Sequence, residues 1–341
     1  MRGVVVTGFG GLDKLEYRTD LPEPVPADDE VVVRVAAAGL NNTDVWTREG
    51  AYGTSDDSSA LAGWRGEPIH FPRVQGADVA GYIDRVGADV PATRIGERVL
   101  IDPVLYTGGE RELVTTRYLG SERDGGYAEL VAVPSSLAHS VDCSLTDAEI
   151  ATFPTAYLTA QRMLNRARAA AGDVVLVTGA SGGVGSALAQ LSAVRGARVI
   201  AVTTREKADE VARLGVDTVL TREELAAGKV EDEVDIVADV VGGPAFAGLL
   251  GEIIRPLGRY VTAGAMAGPL VELDLRRLYL KQVELIGSSF GSHEDFAELL
   301  RLIQDGTLRP LLARTFPLER FVDAQKEFMA KNFVGNIVVI P

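Results

Sequence analysis

Metal-binding and disulfide-forming side chains are scarce in this chain of 341 residues: it has one cysteine, Cys143, and three histidines, His70, His139 and His293. A lone thiol excludes an intrachain disulfide and points to a cytoplasmic location. No run of 18 apolar residues occurs, so a membrane-spanning helix is not expected. The opening Met1-Arg2-Gly3-Val4-Val5-Val6-Thr7 lacks the long apolar segment and small-residue cleavage site of a secretory leader, and it reads as a first strand. Basic residues are also short: 34 Lys and Arg stand against 48 Asp and Glu, a formal net charge of −14. Such a surface repels phosphate backbones and anionic lipid heads, so neither nucleic acid nor membrane is expected as a partner. Any bound phosphate needs a local cradle, because the global field opposes it.

What the chain does have is a change of texture near residue 145. Before it, strand-like pieces at 30–38, 79–86, 97–101 and 126–133 are punctuated by glycine and proline, the pattern of a β-rich, barrel-like domain. A capped helix start follows at 144–149. Strands at 174–180, 197–203, 217–220, 235–241, 258–264 and 283–289 then alternate with helices at 184–195, 206–214 and 245–255. This alternation predicts an α/β fold with a doubly wound parallel sheet. The tail, 293–341, holds one or two amphipathic helices and a last strand at 335–340.

The first strand of the alternating half runs into Thr178-Gly179-Ala180-Ser181-Gly182-Gly183-Val184-Gly185 and then into a helix. A dinucleotide fingerprint needs a tight turn, a close backbone approach to the pyrophosphate, and close helix–strand contact. Ala180, Gly182 and Gly185 stand at those three positions, with alanine replacing the first glycine. The N–H groups that open the helix then face the pyrophosphate. NAD enzymes place an acid at the tip of the next strand, about 20 residues on. Here that tip reads Thr203-Thr204-Arg205-Glu206-Lys207. Thr203, Thr204, Arg205 and Lys207 suit a 2′-phosphate, so NADP(H) is the expected cofactor.

These segments resemble the medium-chain dehydrogenase/reductase superfamily, in particular its zinc-lacking, quinone oxidoreductase-like branch, often described as alcohol dehydrogenase-like. The resemblance runs from Gly39-Leu40-Asn41-Asn42-Thr43-Asp44 with Arg48-Glu49-Gly50-Ala51-Tyr52, through Gln75–Gly81, Ile95–Val99, Asp124–Glu129 and Phe153–Ala160, to the glycine motif. It implies a GroES-like catalytic domain over 1–150, a Rossmann domain over 151–288, and a return to the catalytic domain over 289–341. It also implies a homodimer formed through the cofactor domains, with 268–275 as a candidate edge element. Zinc enzymes of the family carry ligands where this chain has Asn41, Ala77 and Thr155, and Asp78 replaces a nearby glutamate. None of the three is a normal zinc ligand, so no metal is expected.

Without a metal to polarise a carbonyl, an already electrophilic small-molecule substrate is favoured: a quinone, or the C=C of an enone or enoyl thioester. Asn41, Tyr52, Asp44 and Thr155 are the candidate catalytic residues. Tyr52 is either a proton donor or a loop aromatic, and Asp44 either orients the site or stabilises its turn. The resemblance places Thr159, Gly264, Ala265, Ser289, Phe290 and Asn336 along the cofactor, Asn336 where relatives often carry lysine. Trp64 is a candidate cap on the substrate pocket. Two other readings stay open: a metal-free carbonyl or alcohol oxidoreductase, and a non-catalytic NADPH-binding protein. A short-chain dehydrogenase is excluded, because the glycine motif sits mid-chain and no Tyr-x-x-x-Lys occurs.

Overall fold

The computed structural model describes residues 1–52 and 69–341 and divides into two compact units. Unit one comprises Met1–Thr155, Ser292–Asn332 and Asn336–Pro341. Its largest sheet is antiparallel around the strand Glu30–Gly39, which pairs with Asp78–Val86 and, over its first half, with Leu130–Pro134. The last strand, Asn336–Ile340, joins this sheet beside Gly39, so the chain's end closes the domain that its beginning opened. Val31, Val32, Val33, Val79, Ala80, Val99 and Val133 are all inaccessible to solvent and form the core. The strand expected at 126–133 begins only at Leu130. Gly125 lies against the carbonyl of Gly76, where a Cβ would sit 2.2 Å from that oxygen, and the Gly125–Tyr127 backbone is spent on Val74, Gly76 and Gln75 instead of a ladder.

Unit two comprises Ala156–Gly291 and Phe333–Gly335. Six parallel strands lie in the spatial order Thr218–Thr221, Arg198–Thr203, Val174–Val177, Val234–Asp239, Ile254–Thr262, Glu284–Gly287. In sequence terms this is 3-2-1-4-5-6, the order of a dinucleotide-binding Rossmann sheet. The long helix Gly183–Val194 follows the first strand and buries Ala187, Leu188, Ala189 and Leu191. The helix expected at 206–214 is shorter, Ala208–Ala212, preceded by a tight turn at Arg205–Lys207. The edge element expected at 268–275 is corrected: 268–274 forms no strand, Pro269 having no N–H for a ladder, and the sheet's edge is Glu284–Gly287. Among the described residues no helix is long and apolar enough to cross a membrane.

Candidate functional site

In unit one the central strand runs through Leu40 into Asn41, which opens the helix Asn42–Glu49. Asp44, in the first turn, reaches back and accepts a hydrogen bond from the Asn41 N–H at 2.7 Å. An acid there satisfies a helix N–H left over by the fold and suits the helix dipole. The same Asp44 oxygen faces the Tyr127 hydroxyl at 2.6 Å. Asp44 is buried, and that burial pushes its carboxyl up to about 7 against the opposing bonds from Tyr127 and Asn41.

Asp78 stands opposite Gly39 in the ladder. A side chain at Gly39 would meet the Ala151 carbonyl at 2.5 Å, so only glycine lets these segments close around the carboxylate. Asp78 is fully buried. One of its oxygens accepts from the Asn41 amide at 2.9 Å and the other from the Thr155 N–H at 2.7 Å. Burial raises this carboxyl to about 6, and the Asn41 and Thr155 bonds pull the other way. Thr155 Oγ1 lies 3.0 Å from the Tyr118 hydroxyl. Tyr118 is buried, which holds its hydroxyl well above the ordinary phenol range. Thr155 itself is only half-buried. Tyr52 is half-buried with its ring edge on Trp46 at 5.9 Å. Burial pushes its hydroxyl up to about 12, offset in part by Thr43. Trp64 lies outside the described residues.

This donor set does not fit zinc. The Asn41 amide nitrogen already donates to Asp78, Ala77 offers only a methyl, and the Thr155 hydroxyl is engaged by Tyr118. Among the described residues no group of three or more His, Cys, Asp or Glu is placed to hold a metal ion. His293 bonds Asp102 at 2.7 Å, His139 packs on Phe296, His70 is exposed and Cys143 is half-buried.

In unit two the glycine motif forms the turn from the first strand into Gly183–Val194. The left-handed residue is Gly179, φ 61°, one position before the alanine that stands for the first glycine of the fingerprint. Ala180 is buried and ties back to Val202 through its N–H. A Cβ on Gly185 would lie 2.1 Å from the Gly179 carbonyl, so glycine there is what allows the helix to lie against the turn. A Cβ on Gly182 would meet nothing closer than 3.5 Å, and the residue is exposed, which leaves the helix N-terminus open. Gly183 and Val184 begin the helix, and the Ser181 carbonyl accepts from Gly335. This open cradle fits a pyrophosphate.

Thr203 ends the second strand, 2 % exposed, and its hydroxyl has no partner among the described residues. Thr204 is half-buried and Arg205 exposed. Thr203 pairs in register with Thr221, which puts the exposed Arg222 beside the same strand tip. Burial, then Arg222, hold the Lys207 ammonium below its ordinary value. An orphaned hydroxyl at a strand tip flanked in sequence and register by Arg205, Lys207 and Arg222, with Glu206 turned to Thr204, fits a phosphate on the ribose. Thr159, Gly264 and Ala265 are half-buried, Ser289 is exposed, and Phe290 takes a left-handed φ of 52°. Asn336 belongs to unit one, where its amide donates to the Thr152 carbonyl at 2.7 Å.

The structure thus gathers Asn41, Asp44 and Thr155 into one network and lines Thr203, Thr204, Arg205 and Lys207 along one strand tip. Sequence reasoning missed Tyr118 and Arg222, and it saw Asp78 only as a replaced glutamate. It also missed Asp239, a buried carboxylate at the end of the fourth strand of unit two. Its oxygens accept from the hydroxyls of Thr178 and Tyr260 and from the N–H groups of Val241 and Gly242, both at 2.9 Å.

Residues 27–142 match the alcohol dehydrogenase GroES-like domain, and residues 183–305 match the zinc-binding dehydrogenase family. The chain is 30% identical to an acryloyl-coenzyme A reductase of Sulfurisphaera tokodaii and 29% identical to an NAD-dependent alcohol dehydrogenase of the same organism, each covering 100% of both chains. It is 29% identical to a quinone oxidoreductase of Mus musculus, over 96% of this chain and 94% of that one. A crystal structure of a candidate alcohol dehydrogenase from Sinorhizobium meliloti superposes with a TM-score of 0.95 at 53% identity, covering 100% of this chain and 96% of the other. With its GroES-like sheet, its 3-2-1-4-5-6 Rossmann sheet and relatives that match it end to end, the chain belongs to the medium-chain dehydrogenase/reductase superfamily.

Proposed function

We propose that this chain is an NADPH-dependent, zinc-free oxidoreductase that directs hydride to a quinone or to the activated C=C of an enone or enoyl thioester. The observation that carries this reading is the network around Asp78. Where a zinc enzyme needs three ligands, this chain offers an amide, a methyl and a hydroxyl, two of them already hydrogen-bonded. Such a site supplies hydrogen-bond donors rather than a Lewis acid, which suits an acceptor that is electrophilic by itself. Asn41 and Thr155 are the donors we assign, and Tyr52 is a third that stays protonated throughout the working range. The relatives named for acryloyl-coenzyme A and quinone reduction support the same substrate class.

The bound cofactor would supply hydride. Gly179–Gly185 would hold its pyrophosphate, with Thr159, Gly264, Ala265, Ser289 and Phe290 along its length. Thr203, Thr204, Arg205, Lys207 and Arg222 would hold its 2′-phosphate. The relative named as NAD-dependent points toward the other cofactor. The cations and hydroxyls at this chain's strand tip favour NADPH, because the strand itself ends in threonine and the one acid there, Glu206, lies past its end and is engaged by Thr204. Asn336 has no part in this assignment, its amide being used inside unit one. We assign the protein to the cytoplasm, on its single cysteine.

We further propose a homodimer through the edge of the Rossmann sheet. Among the described residues the strand Glu284–Gly287 has a partner on one side only. In the segment that precedes it in sequence Leu270 is 90% exposed and Leu280 72%, with Leu275 and Tyr279 also open to solvent, apolar side chains that call for cover.

One preparation tests the whole reading. Its mass by light scattering should be that of a dimer. It is then mixed with NADPH or NADH and a benzoquinone, a linear enone, an enoyl thioester or a simple aldehyde, with a chelator present. NADPH-selective, chelator-resistant oxidation by quinone or enone is expected. Aldehyde turnover abolished by the chelator would overturn it, and tight NADPH binding without any turnover would favour a binding role.

A further inference from the structure

Three hydroxyl or carboxyl groups of unit one meet at Thr155, two of them buried and Thr155 itself partly open. Asp78 is fully buried, Thr155 is half-buried, and Tyr118 is buried beside Thr155. The Thr155 N–H donates to Asp78 at 2.7 Å, which fixes the residue against the carboxyl; its hydroxyl lies 3.0 Å from Tyr118 and also bonds toward Asp78. A threonine hydroxyl has one proton to give and two lone pairs to accept with. It can therefore receive a proton on one side while releasing one on the other.

We infer that Asp78, Thr155 and Tyr118 form a proton relay in which the Thr155 hydroxyl protonates the anion left by hydride addition. This rests on the reductase reading above and names the acid that the reading leaves unassigned. Thr155 is the catalytic residue, Asp78 stores the proton behind it, and Tyr118 positions the hydroxyl.

The step balances as follows. Hydride addition, supplied by a dihydronicotinamide, puts two electrons on the β-carbon of an enone, and the π electrons shift to the α-carbon and oxygen. The α-carbon takes the proton of Thr155 Oγ1 as the O–H bond breaks. The threonine oxygen takes the proton of the Asp78 carboxyl. Asp78 is left as a carboxylate, held by the Asn41 amide and the Thr155 N–H, and a proton from water, passed inward through the half-buried Thr155 hydroxyl, restores it for the next turnover. Tyr118 gives up no net proton, since burial and the neighbouring Asp78 disfavour its anion. Asp78 is suited to the storage role because burial raises its carboxyl toward the working range. Among the described residues the titratable groups around it are Asp44, Tyr118 and Tyr127, and each carries either negative charge or none at neutral pH. A quinone asks less of the relay, because its reduced oxygens collect protons from water.

The experiment uses the full chain, NADPH, an α-methyl linear enone and a benzoquinone, in water and in heavy water. Thr155→Val should lower the enone kcat by about 100-fold with a smaller change in KM, and Tyr118→Phe by about 10-fold. Quinone turnover should fall less in both. The wild-type enone kcat should decline as pH rises through Asp78's raised range, and Asp78→Asn should lose that limb. In heavy water the wild type should place deuterium on one face of the α-carbon, and Thr155→Val should scramble it. Infrared titration of the cofactor-free protein should show a carboxyl band near pH 6 that is missing in Asp78→Asn. If Asp78→Asn does not fold, Tyr118→Phe and Thr155→Val still decide. Enone kcat within twofold of wild type in both, with deuterium still on one face, overturns the relay alone. A wild type idle with every acceptor overturns the reductase reading and the relay with it.

Discussion

Two buried carboxylates, one in each unit, show how the same chemistry serves different ends. Asp239 in the Rossmann unit and Asp78 in the GroES-like unit are each 0–1% exposed and surrounded by hydroxyl and N–H donors. Around Asp239 the donors close the circle. Each oxygen takes one hydroxyl and one fixed backbone N–H, so the carboxylate ties the loops after the first and fourth strands together. Around Asp78 the Asn41 amide is a side chain that can turn, and the Thr155 hydroxyl, which also bonds toward the carboxyl, belongs to a residue that is partly open. The first arrangement is a clasp, and the second is able to exchange a proton. Burial alone does not make a reactive group; the freedom of its partners does.

The largest effect should come from replacing Asp239 by its amide, set against the same change at Asp78. Asp239→Asn turns an NH2 toward either the Val241 or the Gly242 N–H, and neither can move away. We expect a loss of about 3 kcal/mol, a buried network left with opposed donors. Asp78→Asn can present its NH2 to Asn41, whose own amide flips to offer its oxygen, so a loss below about 1 kcal/mol is expected. Denaturant midpoints of the two variants check this. Equal losses would break the contrast between clasp and exchanger.

A smaller effect, confined to the cofactor, should follow at the second strand's tip. Arg205→Ser and Arg222→Ser should each weaken NADPH about 10- to 100-fold by calorimetry, as expected for a lost charge-assisted bond. NADH should change by less than twofold. An equal loss for both cofactors would place the two arginines away from the 2′-phosphate.

These residues also show where sequence reading reaches and where it stops. The doubly wound parallel sheet was legible because its strands are short apolar runs alternating with helices, while the 3-2-1-4-5-6 order is read from the structure. Gly185 was legible by its spacing, and the structure shows the contact that demands it. The fingerprint counts from Ala180, and its spacing gives no sign that the residue before it, Gly179, takes the left-handed conformation. Arg222 was hidden because it meets Thr203 only through the ladder register with Thr221, and register between parallel strands leaves no mark in sequence. Tyr118 was hidden because it lies on a strand of two residues, too short for any periodicity. The edge of the sheet was misplaced for the opposite reason. The run at 268–275 is apolar enough for a strand, yet Leu270, Val271 and Leu275 face solvent and Pro269 interrupts the ladder.

The smallest effect belongs to a third buried carboxylate, which sets a limit on the contrast. Asp102 is fully buried and accepts from the Val104 N–H at 3.0 Å, with His293 as its other partner at 2.7 Å. Burial raises the Asp102 carboxyl more than His293 lowers it. Its bond to Asp102 in turn raises His293, more than burial depresses it, whereas burial lowers His139 nearby. A histidine whose folded value is raised stabilises fully below its unfolded value of about 6.5, and the gain is lost as pH climbs through the folded value. His139 works in the opposite sense, since its neutral form is the one the fold prefers, but it is present in both proteins compared. His293→Gln should therefore cost about 1 kcal/mol at pH 6 and clearly less at pH 9, read as the difference in thermal midpoint from wild type. The same difference at both pH values would mean that His293 holds Asp102 by shape and neutral hydrogen bonding alone, and that this third carboxylate is a clasp like Asp239.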